Sequence, residues 1–237
     1  MPIFRLVEDP IFPPPDYADP SGLLAVGGDL SSERLLEAYR LGIFPWYSDD
    51  QPILWWSPDP RLVLQLGDFK VSRSLRKTLK NRVFQVTFDR AFEDVIRACS
   101  SIPREGQSGT WITKEMKEAY IYLHGLGYAH SVESWLGGKL AGGLYGVSLG
   151  KAFFGESMFH WERDASKVAL ATLVEKLKSW NFDFIDSQMT TEHMLRLGAK
   201  ELPRRIFLKR LQSALRHPTK RGRWRIEKIN QVPPDAS

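Results

Sequence analysis

The sequence predicts an α+β protein in which a small N-terminal domain, residues 1–60, precedes a larger domain, residues 61–237. Three observations carry this. Residues 1–60 are rich in proline, glycine and aromatic residues and hold a single helical pattern. Three strand patterns succeed one another between Ala129 and Phe159. A helix of apolar periodicity then separates the last of them from a strand over 182–187, the arrangement that a crossover between parallel strands requires.

Taken in order, the first helix has Ser31 or Ser32 as its N-cap and runs through Leu35, Leu36, Ala38 and Tyr39 to a stop at Gly42. Phe44-Pro45-Trp46-Tyr47 and Ile53-Leu54-Trp55-Trp56-Ser57-Pro58 put large rings on segments that proline keeps out of helices, so these rings must pack on something. Alternation of strands and helices begins at Leu62, which sets the boundary near Pro60.

Ser72 to Asn81 reads as a helix with Leu75 and Leu79 on one side. Arg73, Arg76, Lys77 and Lys80 fall at i, i+3, i+4 and i+7 on another. A charged stripe is commonly a solvated face. This one contains no acidic residue to form supporting i,i+4 pairs, which favours contact with phosphates. A strand over 84–88, a helix over 91–99, a glycine-containing loop carrying Trp111 and a helix over 114–124 follow. Strands over 129–136, 140–149 and 152–159 make a meander whose first turn is Gly137-Gly138. Asp164 is placed to cap the crossover helix, which contains Val168, Leu170, Leu173, Val174 and Leu177.

Composition narrows the function. The proportions, 43% hydrophobic and 26% charged over 237 residues, are those of an ordinary globular protein. A single cysteine, Cys99, rules out a disulfide framework and a thiolate-rich zinc site. The start of the chain has neither the basic residues nor the apolar core of a secretory signal, and no stretch has the apolar length of a membrane span, so a cytoplasmic protein is expected. Residues 1–60 hold three basic residues against ten acidic ones, a net −7, which leaves +12 on the remainder. Such asymmetry suits a polyanionic partner, with nucleic acid ahead of membrane because no basic helix carries a Trp/Leu-rich insertion face.

Several kinds of site are excluded. Gly138-Lys139 fails the full P-loop pattern, since Leu140 follows the lysine and position 133 is glutamate. The five histidines show no compact ligand spacing, so no metal and no other cofactor is implied. There is neither a Gly-x-Ser-x-Gly elbow nor a Cys-His arrangement to supply a covalent nucleophile. What remains is polar groups at strand ends. Period-two alternation sends Phe182, Phe184, Asp186 and, where the strand extends to it, Gln188 to one face, so an apolar face ends in a carboxylate and an amide. Glu156 interrupts the apolar run Phe153 to Phe159, and Gly155 beside it allows another backbone to approach closely. Each acid is either a functional group or the partner of a nearby arginine such as Arg204 or Arg205.

The meander, helix and returning strand resemble the core of the Gcn5-related N-acetyltransferase fold, in which acyl donors bind between two splayed strands. An acetyl-CoA enzyme of that fold carries a glycine-rich loop for the pyrophosphate where the crossover helix opens. The equivalent stretch here, His160 to Lys167, has no glycine and contains Glu162 and Asp164, which disfavours CoA as donor.

Longer stretches carry a more specific resemblance. Gly22-Leu-Leu-Ala-Val-Gly-Gly-Asp-Leu30, Ala38-Tyr-Arg-Leu-Gly-Ile-Phe-Pro-Trp46 and Ile53-Leu-Trp-Trp-Ser-Pro-Asp-Pro-Arg61 closely resemble the leucyl/phenylalanyl-tRNA–protein transferases. So do Gly109-Thr-Trp-Ile112, His130-Ser-Val-Glu133, Gly142-Gly-Leu-Tyr-Gly146, Phe154-Gly-Glu-Ser-Met-Phe159, Ile185-Asp-Ser-Gln188 and Leu197-Gly-Ala199. The resemblance implies an enzyme that moves leucine or phenylalanine from its tRNA to the N-terminal Arg or Lys of a protein, marking it for degradation. Leu-tRNA, Phe-tRNA and such proteins are the implied partners.

Residue by residue, the resemblance implies that Trp46 and Trp111 stack on the terminal adenosine of the tRNA, with Tyr39 and Tyr120 beside them. It gives Leu144, Phe153, Leu170, Leu173 and Ile185 the pocket for the transferred side chain. It gives catalysis and acceptor binding to Asp186, Gln188 and Glu156: Asp186 polarises Gln188, whose carbonyl oxygen takes a proton from the attacking amine, and Glu156 offers negative charge. One departure is Thr191, where some members have asparagine. Three other functions stay open on sequence: an acyl-CoA N-acyltransferase, a non-catalytic RNA-binding module, and an aminoacyl-tRNA enzyme acting on cell-wall peptides.

Overall fold

The structure, a computed structural model, describes residues 3–102 and 112–225. Trp111 lies outside the described residues. The chain begins with β1 (Phe4–Leu6), β2 (Leu23–Gly27), α1 (Ser32–Arg40), β3 (Phe44–Pro45) and β4 (Leu54–Trp56). These strands form a four-stranded sheet in the order β1-β2-β4-β3. Ser31, one of the two expected caps, accepts from the Arg34 amide and starts α1. Gly42, at φ +70°, ends it. A Cβ there would come within 2.8 Å of Phe207 and Leu208, so the turn is open only to glycine. The rings expected to need a partner find one: Trp55 is fully buried, edge-on to Phe12.

Then come β5 (Arg61–Gln65), α2 (Arg73–Lys80), β6 (Gln85–Phe88), α3 (Phe92–Ser101), α4 (Lys114–Gly125), β7 (Ala129–Leu136), β8 (Lys139–Leu149), β9 (Ala152–His160), α5 (Ala165–Ser179), β10 (Phe184–Gln188), α6 (Glu192–Arg196), β11 (Lys200–Leu202) and α7 (Arg204–Leu215). The strands make a seven-stranded sheet in the order β11-β5-β10-β9-β8-β7-β6. Its neighbours are antiparallel except β9 and β10, which run parallel with α5 as their crossover. The fold is therefore mixed α and β, as expected, with β7-β8-β9 as the meander.

Among the described residues the two larger cores lie on the sheet. Phe154 and Phe184 pack with Leu24, Tyr39, Trp55 and Phe207, which joins the N-terminal sheet and α7 to one face. Phe153 and Ile185 pack with Leu170, Leu173 and Leu177 of α5 on the other. Trp224 closes the second core behind Phe153, held by its amide to Asp89, which also accepts from His130 Nδ1. His130 is thus a structural histidine.

One local expectation needs correction. Asp164 occupies the N-cap position of α5 but makes no side-chain cap bond; its backbone is left-handed, φ +66°, and its carboxylate meets Lys167 at 3.0 Å.

Candidate active site

The site forms where the two parallel strands stop pairing. β9 and β10 register as Phe184↔Ala152, Ile185↔Phe153 and Asp186↔Phe154, and the pairing ends there. Both strands are bulged just beyond. Against β8, Tyr145 faces Ser157 and Gly146 faces Gly155, so Glu156 is the extra residue in β9. Against β5, Asp186 faces Val63 and Gln188 faces Leu62, so Ser187 is the extra residue in β10. A bulge bends its strand and re-aims a side chain. Gln188, at φ +60°, completes the turn away from strict alternation. The close backbone approach expected at Gly155 belongs instead to Gly146, where a Cβ would collide with the Phe154 carbonyl oxygen. At Gly155 a Cβ would meet only ordinary contacts.

The re-aimed Glu156 gathers three donors. Tyr39 Oη and Gln188 Nε2 donate to Oε1 at 2.8 and 2.9 Å, and Tyr120 Oη donates to Oε2 at 3.1 Å. The two tyrosine hydroxyls also lie within hydrogen-bond distance of each other; each phenol has one proton, so a bond between them forms only when one turns its proton away from Glu156 or the carboxyl itself supplies one. Burial pushes the Glu156 carboxyl up to about 7; the Asp186 charge adds to this, and the three donors oppose it. Both tyrosines are completely buried, and burial with the nearby Glu156 charge raises their hydroxyls well above the usual range. They are neutral donors that hold Glu156.

Asp186 departs from expectation. Its Oδ1 accepts from Arg61 Nε at 2.8 Å and its Oδ2 from Arg61 Nη2 at 2.6 Å, with both side chains sealed from solvent. Arg61 lies between the rings of Phe44 and Phe207, at 4.8 and 4.6 Å, and its Nη1 donates to the Gly42 carbonyl at 3.1 Å. The arginine partner weighed for this acid exists, but it is Arg61; Arg204 donates to the Ser57 carbonyl instead. Asp186 reaches Gln188 only through the main chain, accepting from its backbone amide at 2.9 Å. It therefore holds the unusual backbone of Gln188, while the side-chain amide bonds to Glu156.

Two cavities open on this cluster. One, of about 270 Å³, is lined by all five residues expected to form the apolar pocket, Leu144, Phe153, Leu170, Leu173 and Ile185, with Met158 and Met194 added. The other, of about 310 Å³, is bounded by Trp46, Phe44, Gln188 and Thr190. Gly155, Glu156, Ser187 and Thr191 line both, so the cavities meet at the bulges. Trp46 is half-buried, edge-on to Trp56. Thr191 caps α6 by accepting from the Met194 amide at 3.3 Å, a role that asparagine fills equally well. Arg73, Arg76, Lys77 and Lys80 all lie on the exposed side of α2, and none has an ion-pair partner among the described residues. Among the described residues, no group of three His, Cys, Asp or Glu side chains could hold a metal, and no helix is long and apolar enough to cross a membrane.

Sequence reasoning missed Arg61 and Ser187. Arg61 opens the buried run Arg61-Leu62-Val63-Leu64, and a cation leading such a strand is a signal for a buried acid partner. Ser187 carried no signal, because it comes to line both cavities only through the bulge; its Oγ is buried with no hydrogen-bond partner among the described residues.

An apolar pocket that meets a buried carboxylate and an amide, between strands that part, is the equipment of an enzyme that moves an apolar acyl group to an amine. Comparison with known proteins defines the group further. The family described as leucyl/phenylalanyl-tRNA protein transferase matches residues 63–212, and its N-terminal domain matches residues 28–59. Relatives named leucyl/phenylalanyl-tRNA–protein transferase include one from Anaeromyxobacter sp. (strain Fw109-5), 60% identical with 96% of this chain and 97% of the relative covered. Another is from Myxococcus xanthus (strain DK1622), 58% identical over 94% of this chain and 97% of the relative. One from Desulfatibacillum aliphaticivorans is 56% identical over 97% and 99%. Among solved structures, a protein of unknown function from Staphylococcus epidermidis ATCC 12228 gives a TM-score of 0.43 at 12% identity, over 76% of this chain and 68% of its own. The chain belongs to the leucyl/phenylalanyl-tRNA–protein transferase family, and it is an aminoacyltransferase.

Proposed function

We propose that this chain transfers leucine or phenylalanine from aminoacyl-tRNA to the α-amino group of proteins that begin with Arg or Lys, in the cytoplasm where charged tRNA is found. The observation that carries the reading is the meeting of the apolar cavity with Glu156 and Ser187 at its mouth. Leu144, Phe153, Leu170, Leu173 and Ile185 take the transferred side chain. Trp46 offers a ring to the terminal adenosine. Trp111 has the same role by family resemblance. The stripe Arg73, Arg76, Lys77 and Lys80 attracts tRNA phosphates.

The ester is already activated. The acceptor amine, with a pKa of about 8, is roughly a tenth neutral at pH 7, so the reaction needs positioning more than activation. The amine nitrogen attacks the ester carbonyl carbon, the bond to the ribose oxygen breaks, and the proton shed by nitrogen ends on that oxygen. Gln188 gives its Nε2 to Glu156 and has its Oε1 left to accept from the amine. Glu156 attracts the cationic acceptor, and a carboxyl near 7 is matched to taking a proton at neutral pH. Asp186, anchored by Arg61, is a positioning residue for Gln188.

We also read the chain as two domains, 1–60 and 61–237, the second of the Gcn5-related N-acetyltransferase type. The separate family matches on either side of residue 60 and the parting of β9 from β10 support this. Incubation with Leu-tRNA labelled in leucine and a peptide beginning with Arg, without ATP or CoA, tests the function. Label in the peptide supports it; label that requires CoA would favour an acyl-CoA enzyme.

A further inference from the structure

A third cavity, of about 360 Å³, lies between the start of α2, the first turn of α5 and α6. Lys70, Ser72, Leu75, Lys167, His193 and Arg196 line it, and no acidic residue does. Lys167 bonds to Asp164 at 3.0 Å and Arg196 to Glu192 at 2.5 Å, but an ammonium has three donors and a guanidinium five, so each keeps donors for another acceptor. The Lys70 ammonium has no carboxylate partner among the described residues. Burial holds His193 below its ordinary pKa, and the charges of Lys167, His160 and Arg196 push the same way, so the field at its ring is positive. Such a pocket suits an anion and repels the cationic acceptor.

Its position relates it to the donor. His193 lines this pocket and the apolar cavity, while Thr191, two residues earlier, lines the apolar cavity and the Trp46 cavity. The start of α6 is therefore a rim running from the ring of Trp46 to the basic pocket. Ser72, on the pocket's far side, immediately precedes the Arg73–Lys80 stripe. An aminoacyl-tRNA bound as read above, with its terminal nucleoside at Trp46 and its amino acid in the apolar cavity, has phosphodiesters just 5′ of that nucleoside.

Resting on that reading of the donor, we infer that Lys70, Lys167, His193 and Arg196 form a subsite for the phosphodiesters next to the terminal adenosine. The single-stranded 3′ end then runs from Trp46 across the start of α6 to α2. These contacts are independent of base sequence and salt-sensitive.

The test uses three donors: phenylalanyl adenosine, which has no phosphodiester; the trinucleotide CpCpA esterified with phenylalanine, which has two; and Phe-tRNA. The full chain is compared with its Lys70→Gln/Arg196→Gln form, both at exposed positions, with a thermal midpoint equal to wild type as the control that the fold is kept. The variant is expected to bind the trinucleotide donor about tenfold more weakly or worse. The slope of log K against log salt should shrink by about 0.7 for each phosphate that is no longer neutralised. Transfer from phenylalanyl adenosine should stay within about twofold of wild type, which shows the aminoacyl site intact. Unchanged affinity and slope for the trinucleotide donor would overturn the inference. So would an equal loss with phenylalanyl adenosine, since the two residues would then act on the amino acid. Inorganic pyrophosphate that saturates the pocket without displacing the trinucleotide donor would make it a free-anion site and overturn it too. Failure of the wild-type protein with all three donors would instead overturn the reading of the donor itself.

Discussion

Arg61 and Asp186, 125 residues apart, form a two-point ion pair that is sealed from solvent at the foot of the active site. The guanidinium is held between Phe44 and Phe207 and bonds to Gly42, so one side chain ties the turn after α1, strand β5 and helix α7 to the strand that carries Gln188. Removing one partner of such a pair leaves a bare buried charge.

Arg61→Met is therefore expected to destabilise the protein by about 3–5 kcal/mol, read as a lower midpoint in urea unfolding. Arg61→Lys keeps the charge but loses the fork geometry, and should fold while lowering kcat more than KM for Phe-tRNA. Wild-type kcat in a folded Arg61→Lys protein would remove Arg61 from the positioning of Gln188.

Glu156 sets a pH dependence. Its carboxyl titrates near 7 in the folded chain against an ordinary 4.5, so between those values the native state holds a proton that the unfolded chain has released. This contribution to stability is lost as pH rises from about 4.5 to 7 and levels off above, by on the order of 3 kcal/mol at most. Glu156→Gln should flatten that loss. Thermal midpoints of the two proteins from pH 4.5 to 8 check it; parallel curves would contradict a raised Glu156 pKa.

The cavity wall sets the choice of side chain. Leu170→Phe or Leu173→Phe fills space in the 270 Å³ pocket and should raise KM for Phe-tRNA more than for Leu-tRNA. Pocket changes of this size are worth roughly 1–3 kcal/mol of discrimination. Paired KM measurements with the two tRNAs decide it; equal changes would place the amino acid elsewhere.

The meander and the crossover were legible in the sequence, because period-two strands and the i, i+3, i+4 spacing of Leu170, Leu173, Val174 and Leu177 are local patterns; the pocket came only from the family resemblance, since by pattern its residues read as ordinary core. The bulges were not. Whether Glu156 or Ser187 is the extra residue depends on the strand opposite, and Gly146, which makes room for the first bulge, reads in sequence as one glycine among several. Nor does local pattern join Arg61 to Asp186. The short helix α6 has too few apolar positions to stand out, and α7 went unread although Pro203 and the spacing of Phe207, Leu211 and Ala214 carry a helical signal.

Charge on α2 gives another test. Reversing Arg76 and Lys77 should weaken binding of all tRNAs alike and flatten the salt dependence by about 0.9 for each double-strand phosphate that is no longer neutralised. An unchanged slope would remove α2 from the interface.

The central claim is that Glu156 and Gln188, held as one unit, handle the attacking amine. It is tested most directly by the single-turnover rate of transfer from Phe-tRNA to a peptide beginning with Arg. Gln188→Ala and Glu156→Gln should each lower that rate by on the order of 10² to 10⁴ with donor affinity unchanged. The double variant should be little slower than either, because groups that act together are not additive. Single variants that transfer at the wild-type rate once acceptor is saturating would contradict the claim, leaving both residues to acceptor binding alone.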